Sequence, residues 1–126
     1  MIRGFEDYTK DLTKDELDLL PKFVNGFNQR IGKKNAITNA EIRRRFMSVL
    51  EIKLSDTRIR KIVNHIRKYN LCSVLLASSK GYWVSRDKKE IQNWIDSMQS
   101  RIDAMNVVKN SVKKQLEFFD NHKLDV

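Results

Sequence analysis

Across residues 57 to 68, TRIRKIVNHIRK, six basic side chains (Arg58, Arg60, Lys61, His65, Arg67 and Lys68) crowd about three helical turns around a thin apolar seam. Guanidinium forks and ammonium groups of this density suit phosphate oxygens. Asn64, with a donor and an acceptor on one amide, is the side chain that can read an adenine edge, as arginine reads guanine. At 100° per residue, Ile59, Ile62, Val63 and Ile66 fall within an arc of roughly 100°, the stripe to be buried. Thr57, Lys61, Asn64 and Lys68 then lie on the opposite side, with Arg58, Arg60 and His65 beside them. A helix held by its own surface pairs alternates charge sign, and this one carries no acid beyond Asp56. Such a face repels itself, which favours a partner over a purely structural role. Taken alone, it suits a nucleic acid, an anionic membrane surface or a calmodulin-like partner. A solvated surface kept basic for solubility is the plainer reading.

Other chemistries find little material. His65 and His122 are the only histidines, and the single Cys72 is too few for a zinc site or an internal disulfide. No nucleophile, base and orienting group cluster along the chain. SSKG, residues 78 to 81, lacks the spacing of a phosphate-cradling loop. Tyr82 and Trp83 suit stacking on a base or sugar, although strand aromatics more commonly belong to a core. No catalytic residue, metal, cofactor or small-molecule substrate is expected, and the chain does not read as an enzyme.

The charge distribution singles out the same region. The 126 residues carry a net +9, and residues 33 to 68 alone hold eleven Lys/Arg against three Asp/Glu. A localised basic block on a folded domain is the footprint of a polyanion-binding face. The N-terminal stretch MIRGFEDYTK lacks the apolar core of a secretory signal, and no apolar run nears the roughly 20 residues of a membrane span. With one cysteine, a reducing cytoplasmic setting is expected.

The elements that position the basic face follow from caps and periodicity. Thr13-x-x-Glu16 is a capping box that opens a first helix, with Leu17, Leu20, Phe23, Val24 and Phe27 at helical spacing until Gly32 and a break expected at Pro21. Thr38-x-x-Glu41 opens a short second helix, NAEIRRRFM, whose buried side is Ala40, Ile42 and Phe46. SVLEIKL then allows a brief strand or an extended turn. Ser55 caps the third helix, from Asp56 to about Tyr69, which Asn70 ends in a left-handed conformation. LCSVLLA and YWVS, joined by SSKG, read as a hairpin over about residues 74 to 85, with Gly81 supplying a positive φ and Lys80 at the tip.

Asp87-x-x-Glu90 is a third capping box, and no glycine or proline follows it, so a helix is predicted from about 88 to 119. Its apolar positions Ile91, Ile95, Met98, Ile102, Met105, Val108, Val112, Leu116 and Phe119 advance by a mean of 3.5, the coiled-coil period. Their 4-3-4-3 spacing shifts to 3-4-4 after Met105. The first turns are expected to cover the domain and the rest to pair with a second copy, with Ile95, Met98, Ile102, Met105 and Val112 at the dimer contact.

Helix, helix, short connection, basic helix, hairpin and long helix is the order at which the sequence resembles the winged-helix family of DNA-binding domains, over residues 12 to 86. NAITNAEI, RIRKIVNHIRKYNL and LLASSKGYWVS, followed by WIDSMQSRIDAM, are similar to small phage- or prophage-type winged-helix proteins. The resemblance implies an α+β fold, mainly α with a hairpin wing and a long C-terminal helix. It makes Thr57, Arg58, Arg60, Lys61 and Asn64 the groove-facing residues and Arg43, Arg44, Lys68 and Lys80 the phosphate contacts. The narrower resemblance brings no known activity with it; the concentrated basic block, the element order and the basic outer face, with the seam of the long helix, lead to the expectation of a homodimer on duplex DNA in regulation or replication of a mobile element. The tight glycine turn of a helix-turn-helix is replaced here by SVLEIKLS. A non-enzymatic adaptor built on the same scaffold, or a binder of structured RNA, is the alternative. The organisation expected is a flexible arm over 1–11, the domain over 12–86, the long helix over 87–119 and a tail over 120–126.

Overall fold

A computed structural model describes residues 10–122, with the His122 side chain outside that description. The arm expected over 1–11 and the tail over 120–126 lie largely beyond the described residues. The chain divides into two units, Met1–Lys88 and Lys89–Val126.

The first unit orders α1 (Lys14–Asn28), a 3-10 turn (Lys33–Asn35), α2 (Asn39–Leu50), α3 (Asp56–Lys68), β1 (Leu75–Ser78) and β2 (Gly81–Val84). It is mainly helical with one antiparallel hairpin, the α+β class expected. The capping boxes at Thr13/Glu16 and Thr38/Glu41 both form, because each pairs two backbone N–H groups that the first helical turn leaves without partners. Ser55 caps α3 through the Arg58 N–H. At the other end Asn70 takes φ 54°, and the Leu71 N–H closes onto the Ile66 carbonyl, the bond that ends a helix in a left-handed residue.

Three boundaries differ from expectation. α1 runs unbroken through Pro21 and stops at Asn28, short of Gly32. The bond Pro21 cannot donate would have gone to the Leu17 carbonyl, and both residues sit on the exposed side of the helix, where losing that bond does not leave a group sealed in the core. Leu19 takes the core position expected of Leu17. α2 continues through Ser48-Val49-Leu50, so no strand forms there; Glu51 turns the chain with φ 55°, its N–H on the Met47 carbonyl. Ala40 is exposed, leaving Ile42 and Phe46 to anchor α2.

The core joins Leu19, Phe23 and Phe27 of α1 to Ile42 of α2, to Ile59, Ile62, Val63 and Ile66 of α3, and to Leu75 and Val84 of the hairpin. The predicted α3 stripe is buried in full. Cys72 is buried as well, in a bend before β1.

β2 has partners on both sides. β1 pairs with it in the register Leu75↔Val84 through Ser78↔Gly81, leaving Ser79 and Lys80 as the loop. On its other edge, Ile37 and Tyr82 exchange N–H···O bonds of 2.9 and 2.8 Å, and Ile31 bridges Val84 in parallel. These two isolated bridges, on either side of the 3-10 turn, fix the two-stranded hairpin to the helical body. Gly81 is required twice over: its φ is 113°, and a Cβ there would stand 2.3 Å from the Ile37 carbonyl oxygen.

The second unit is the helix α4 (Lys88–His122), 35 residues without interruption. Among the described residues no helix is long and apolar enough to cross a membrane.

Candidate nucleic-acid interface

The basic face of α3 is divided by what it meets. Glu16, the last member of the α1 capping box, is only 1% exposed. One of its oxygens accepts from the Thr13 N–H at 2.8 Å and from Lys61 Nζ at 2.7 Å; the other accepts from Arg58 Nε at 3.2 Å. Burial alone would raise the Glu16 pKa. The Lys61 ammonium, the Thr13 N–H and the Arg58 guanidinium together outweigh it and hold the carboxyl at about 2, against an ordinary 4.5. Glu16 is therefore ionised at neutral pH and is shared by two of the cations expected to face a groove, a cluster that keeps a net charge of +1.

This corrects two assignments. The Lys61 side chain is 12% exposed and faces α1, so it does not belong to an outward row. Arg58, with a side chain 39% exposed, spends its Nε on the same carboxylate. Helical angle placed Lys61 nearly opposite the apolar stripe, but a four-carbon stem reaches round the helix when a buried carboxylate waits beside it.

A row survives along the α3 edge nearer the hairpin. Thr57, Arg60 and Lys68 are exposed and Asn64 is half-buried. Arg60, Asn64 and Arg67, one helical repeat apart in steps of four and three, line a cleft of about 300 Å³ whose other wall is Ala77 and Tyr82 of the hairpin. Burial raises the Tyr82 phenol pKa, while Arg60, a hydrogen bond with Asn39 and Arg67 lower it in part. Burial likewise pulls Arg67 below its usual value, opposed by Tyr82. Arg67 was absent from the residues expected at the site, although its spacing of seven from Arg60 was visible in the sequence. Tyr82 thus stands half-buried at the cleft, whereas Trp83 is core, with Lys33 Nζ 5.7 Å from its ring centre.

The expected phosphate contacts also separate. Arg43 is half-buried and donates to Asp56 across the α2–α3 turn, an ion pair that ties the two helices together. Arg44 is exposed and lines a second cleft, of about 420 Å³, with Arg43, Met47 and Lys53. Lys68 lies over the Tyr69 ring at 5.4 Å, and His65, half-buried, packs its ring on Tyr69 at 4.7 Å. Lys80 is exposed at the hairpin tip.

Among the described residues no group of three His, Cys, Asp or Glu side chains converges to hold a metal ion. The positions expected at a dimer contact lie on α4: Ile95, Ile102, Met105 and Val112 are exposed, and Met98 is half-buried. In comparisons with known proteins, no family model, no curated protein and no solved structure matches this chain.

Proposed function

We propose that residues 12–86 form a winged-helix domain that binds duplex DNA through α3 and the hairpin, with two copies joined through α4. The observation that carries this reading is what remains of the basic face after internal pairing. Arg58, Lys61 and Arg43 are drawn into pairs with Glu16 and Asp56, whereas Thr57, Arg60 and Lys68 are exposed along one helix with Asn64 half-buried between them. Arg44, Lys53 and Lys80 add exposed cations on α2, on the turn after it and on the wing. The element order, with an isolated antiparallel bridge from Ile37 ahead of α2 to Tyr82 of the second hairpin strand, supports the same fold reading.

In this arrangement Arg60 and Asn64 contact base edges, because guanidinium and amide groups are the side chains whose donor and acceptor pairs match guanine and adenine. Lys68, Arg44 and Lys80 contact phosphates and set the register of the domain on the duplex. The test is competition among duplex DNA, single-stranded DNA and structured RNA for the full-length protein at one fixed salt concentration. Duplex preference supports the reading; equal or stronger binding of RNA, or no binding of any of the three, removes it.

One observation favours a second reading, a protein-contact module. An apolar cleft of about 320 Å³ opens between α1 and α2, lined by Phe23, Phe27, Phe46, Val49 and Leu50 and edged by Lys22 and Arg45. Under that reading nucleic-acid affinity is negligible at moderate salt, and the same competition separates the two.

A further inference from the structure

The uninterrupted run of α4 changes the meaning of its irregular apolar spacing. Because the helix does not break between Met105 and Val112, its angular phase carries through, and a seven-residue frame can be followed from one end to the other. Ile91, Met98, Met105, Val112 and Phe119 stand seven apart. Ile95, Ile102, Lys109 and Leu116 also stand seven apart, four residues after the first four of that set. The shift after Met105 is therefore no change of frame: Lys109 occupies an a position of a heptad whose other a and d positions are apolar. Val108 lies beside it at g.

We infer that α4 pairs with α4 of a second copy as a parallel, in-register, two-stranded coiled coil, and that Lys109 sets both its register and its strand number. This deepens the two-copy reading above and rests on it, but it is independent of DNA binding.

The occupant is argued first from exposure. Ile95 (48%), Ile102 (43%), Met105 (61%), Val112 (58%), Leu116 (58%) and Phe119 (47%) all present apolar surface to water. With Val108 they offer roughly 1,500 Å² over two copies, the size of a stable specific interface. The seam extends about 40 Å along one uninterrupted helix, and a second copy supplies the same seam at the same spacing.

Strand number follows from residue types. Ile95 and Ile102 are β-branched at a with the unbranched Met98 and Met105 at d, which suits two strands, while Ile91 and Val112 at d do not add to this, so strand number rests on Lys109. A lysine at a tolerates a dimer, in which its stem lies along the seam and its ammonium reaches water at the edge. A trimer would close around it.

Orientation follows from counting damaged layers. In a parallel, in-register pair each a residue faces its own copy, so the two Lys109 side chains share one layer and leave the others dry. In an antiparallel pair a faces d, and each Lys109 would spoil a separate apolar layer. Any parallel pair slipped by one heptad likewise sets Lys109 against Ile102 or Leu116. Since α4 starts four residues after β2 ends, a parallel pair also brings both N-terminal units to the same end of the rod.

The test uses the full-length protein without nucleic acid. Sedimentation equilibrium of the parent at tens of micromolar should give a dimer. Met98→Cys in a Cys72→Ala background should oxidise to a covalent dimer, because d positions face each other in a parallel pair. In an antiparallel pair centred near residue 107 the two positions would lie about 27 Å apart. A refolded equimolar mixture of parent and Lys109→Glu should contain more than half heterodimer, since only parallel register sets lysine against glutamate. Lys109→Ile should tighten assembly by about ten-fold or more and admit trimers. A monomer overturns this inference together with the two-copy reading. A dimer with no Met98→Cys crosslink and a purely statistical mixture overturns the inference alone, as does a parent trimer.

Discussion

Glu16 shows how much one side chain decides. It closes a helix cap, anchors Lys61 and holds Arg58, all from a position 1% exposed. Its folded pKa of about 2 lies below the ordinary 4.5, so the linked stability is fully present above pH 4.5 and is lost as pH falls through 2. The drop corresponds to about 3 kcal/mol. Urea titrations in that window should show it in the parent and not in Glu16→Gln, which should already be less stable at neutral pH by about 3–5 kcal/mol because two cations lose their carboxylate. The same pairing separates two substitutions that look alike in sequence. Lys61→Ala should lower the melting temperature and leave duplex affinity nearly intact. Arg60→Ala should do the reverse: stability within about 0.5 kcal/mol of the parent, and affinity reduced by about 1–3 kcal/mol. If Lys61→Ala weakened binding at unchanged stability, the division of the basic face described above would be wrong.

Elements are set by local signals where these are strong. Both Thr-x-x-Glu boxes, the Ser55 cap and the left-handed Asn70 lay open in the sequence because each depends on residues within four positions. The end of α2 did not, since Ser48, Val49 and Leu50 have no helix-stopping chemistry and alternate enough to mimic a strand. Pro21 misled for the opposite reason: its helix-breaking character is real, but the single lost bond falls on the wet side of α1. At the hairpin the sequence indicated glycine for a turn, while the tertiary contact imposes a second demand at the same residue. Gly81→Ala should therefore cost more than a positive φ alone, about 2–3 kcal/mol, since the backbone at Ile37 must move to admit a Cβ. Val74, a β-branched residue at φ 49°, offers a converse check. Val74→Gly should raise thermal stability by relieving that conformation, by up to about 1 kcal/mol.

For the whole molecule the decisive quantity is the number of cations left for an external anion. Arg44, Lys68 and Lys80 give three candidate phosphate neutralisations per protomer, so the logarithm of duplex affinity should fall with log salt at a slope of about −3 for each bound domain. Fluorescence anisotropy over a range of potassium chloride concentrations measures it. A slope near zero would assign the charge to solubility. In the proposed two-copy arrangement, two domains joined through α4 would act at high effective concentration, and weak single contacts would sum to useful affinity only if the pair reached both half-sites.

The sequence alone determined the class of the fold, the apolar stripe of α3, the N-terminal caps of α1, α2 and α3, the hairpin and the 3.5-residue spacing along α4, because periodicity and capping are local properties. It also located the charge in one block. Only the tertiary structure decided which charges remain outside. Glu16 lies 45 residues from Lys61 and 42 from Arg58 along the chain, and no periodicity links residues so far apart. The packing of α1 on α3 brings them together, and a buried carboxylate must then collect the cations within its reach.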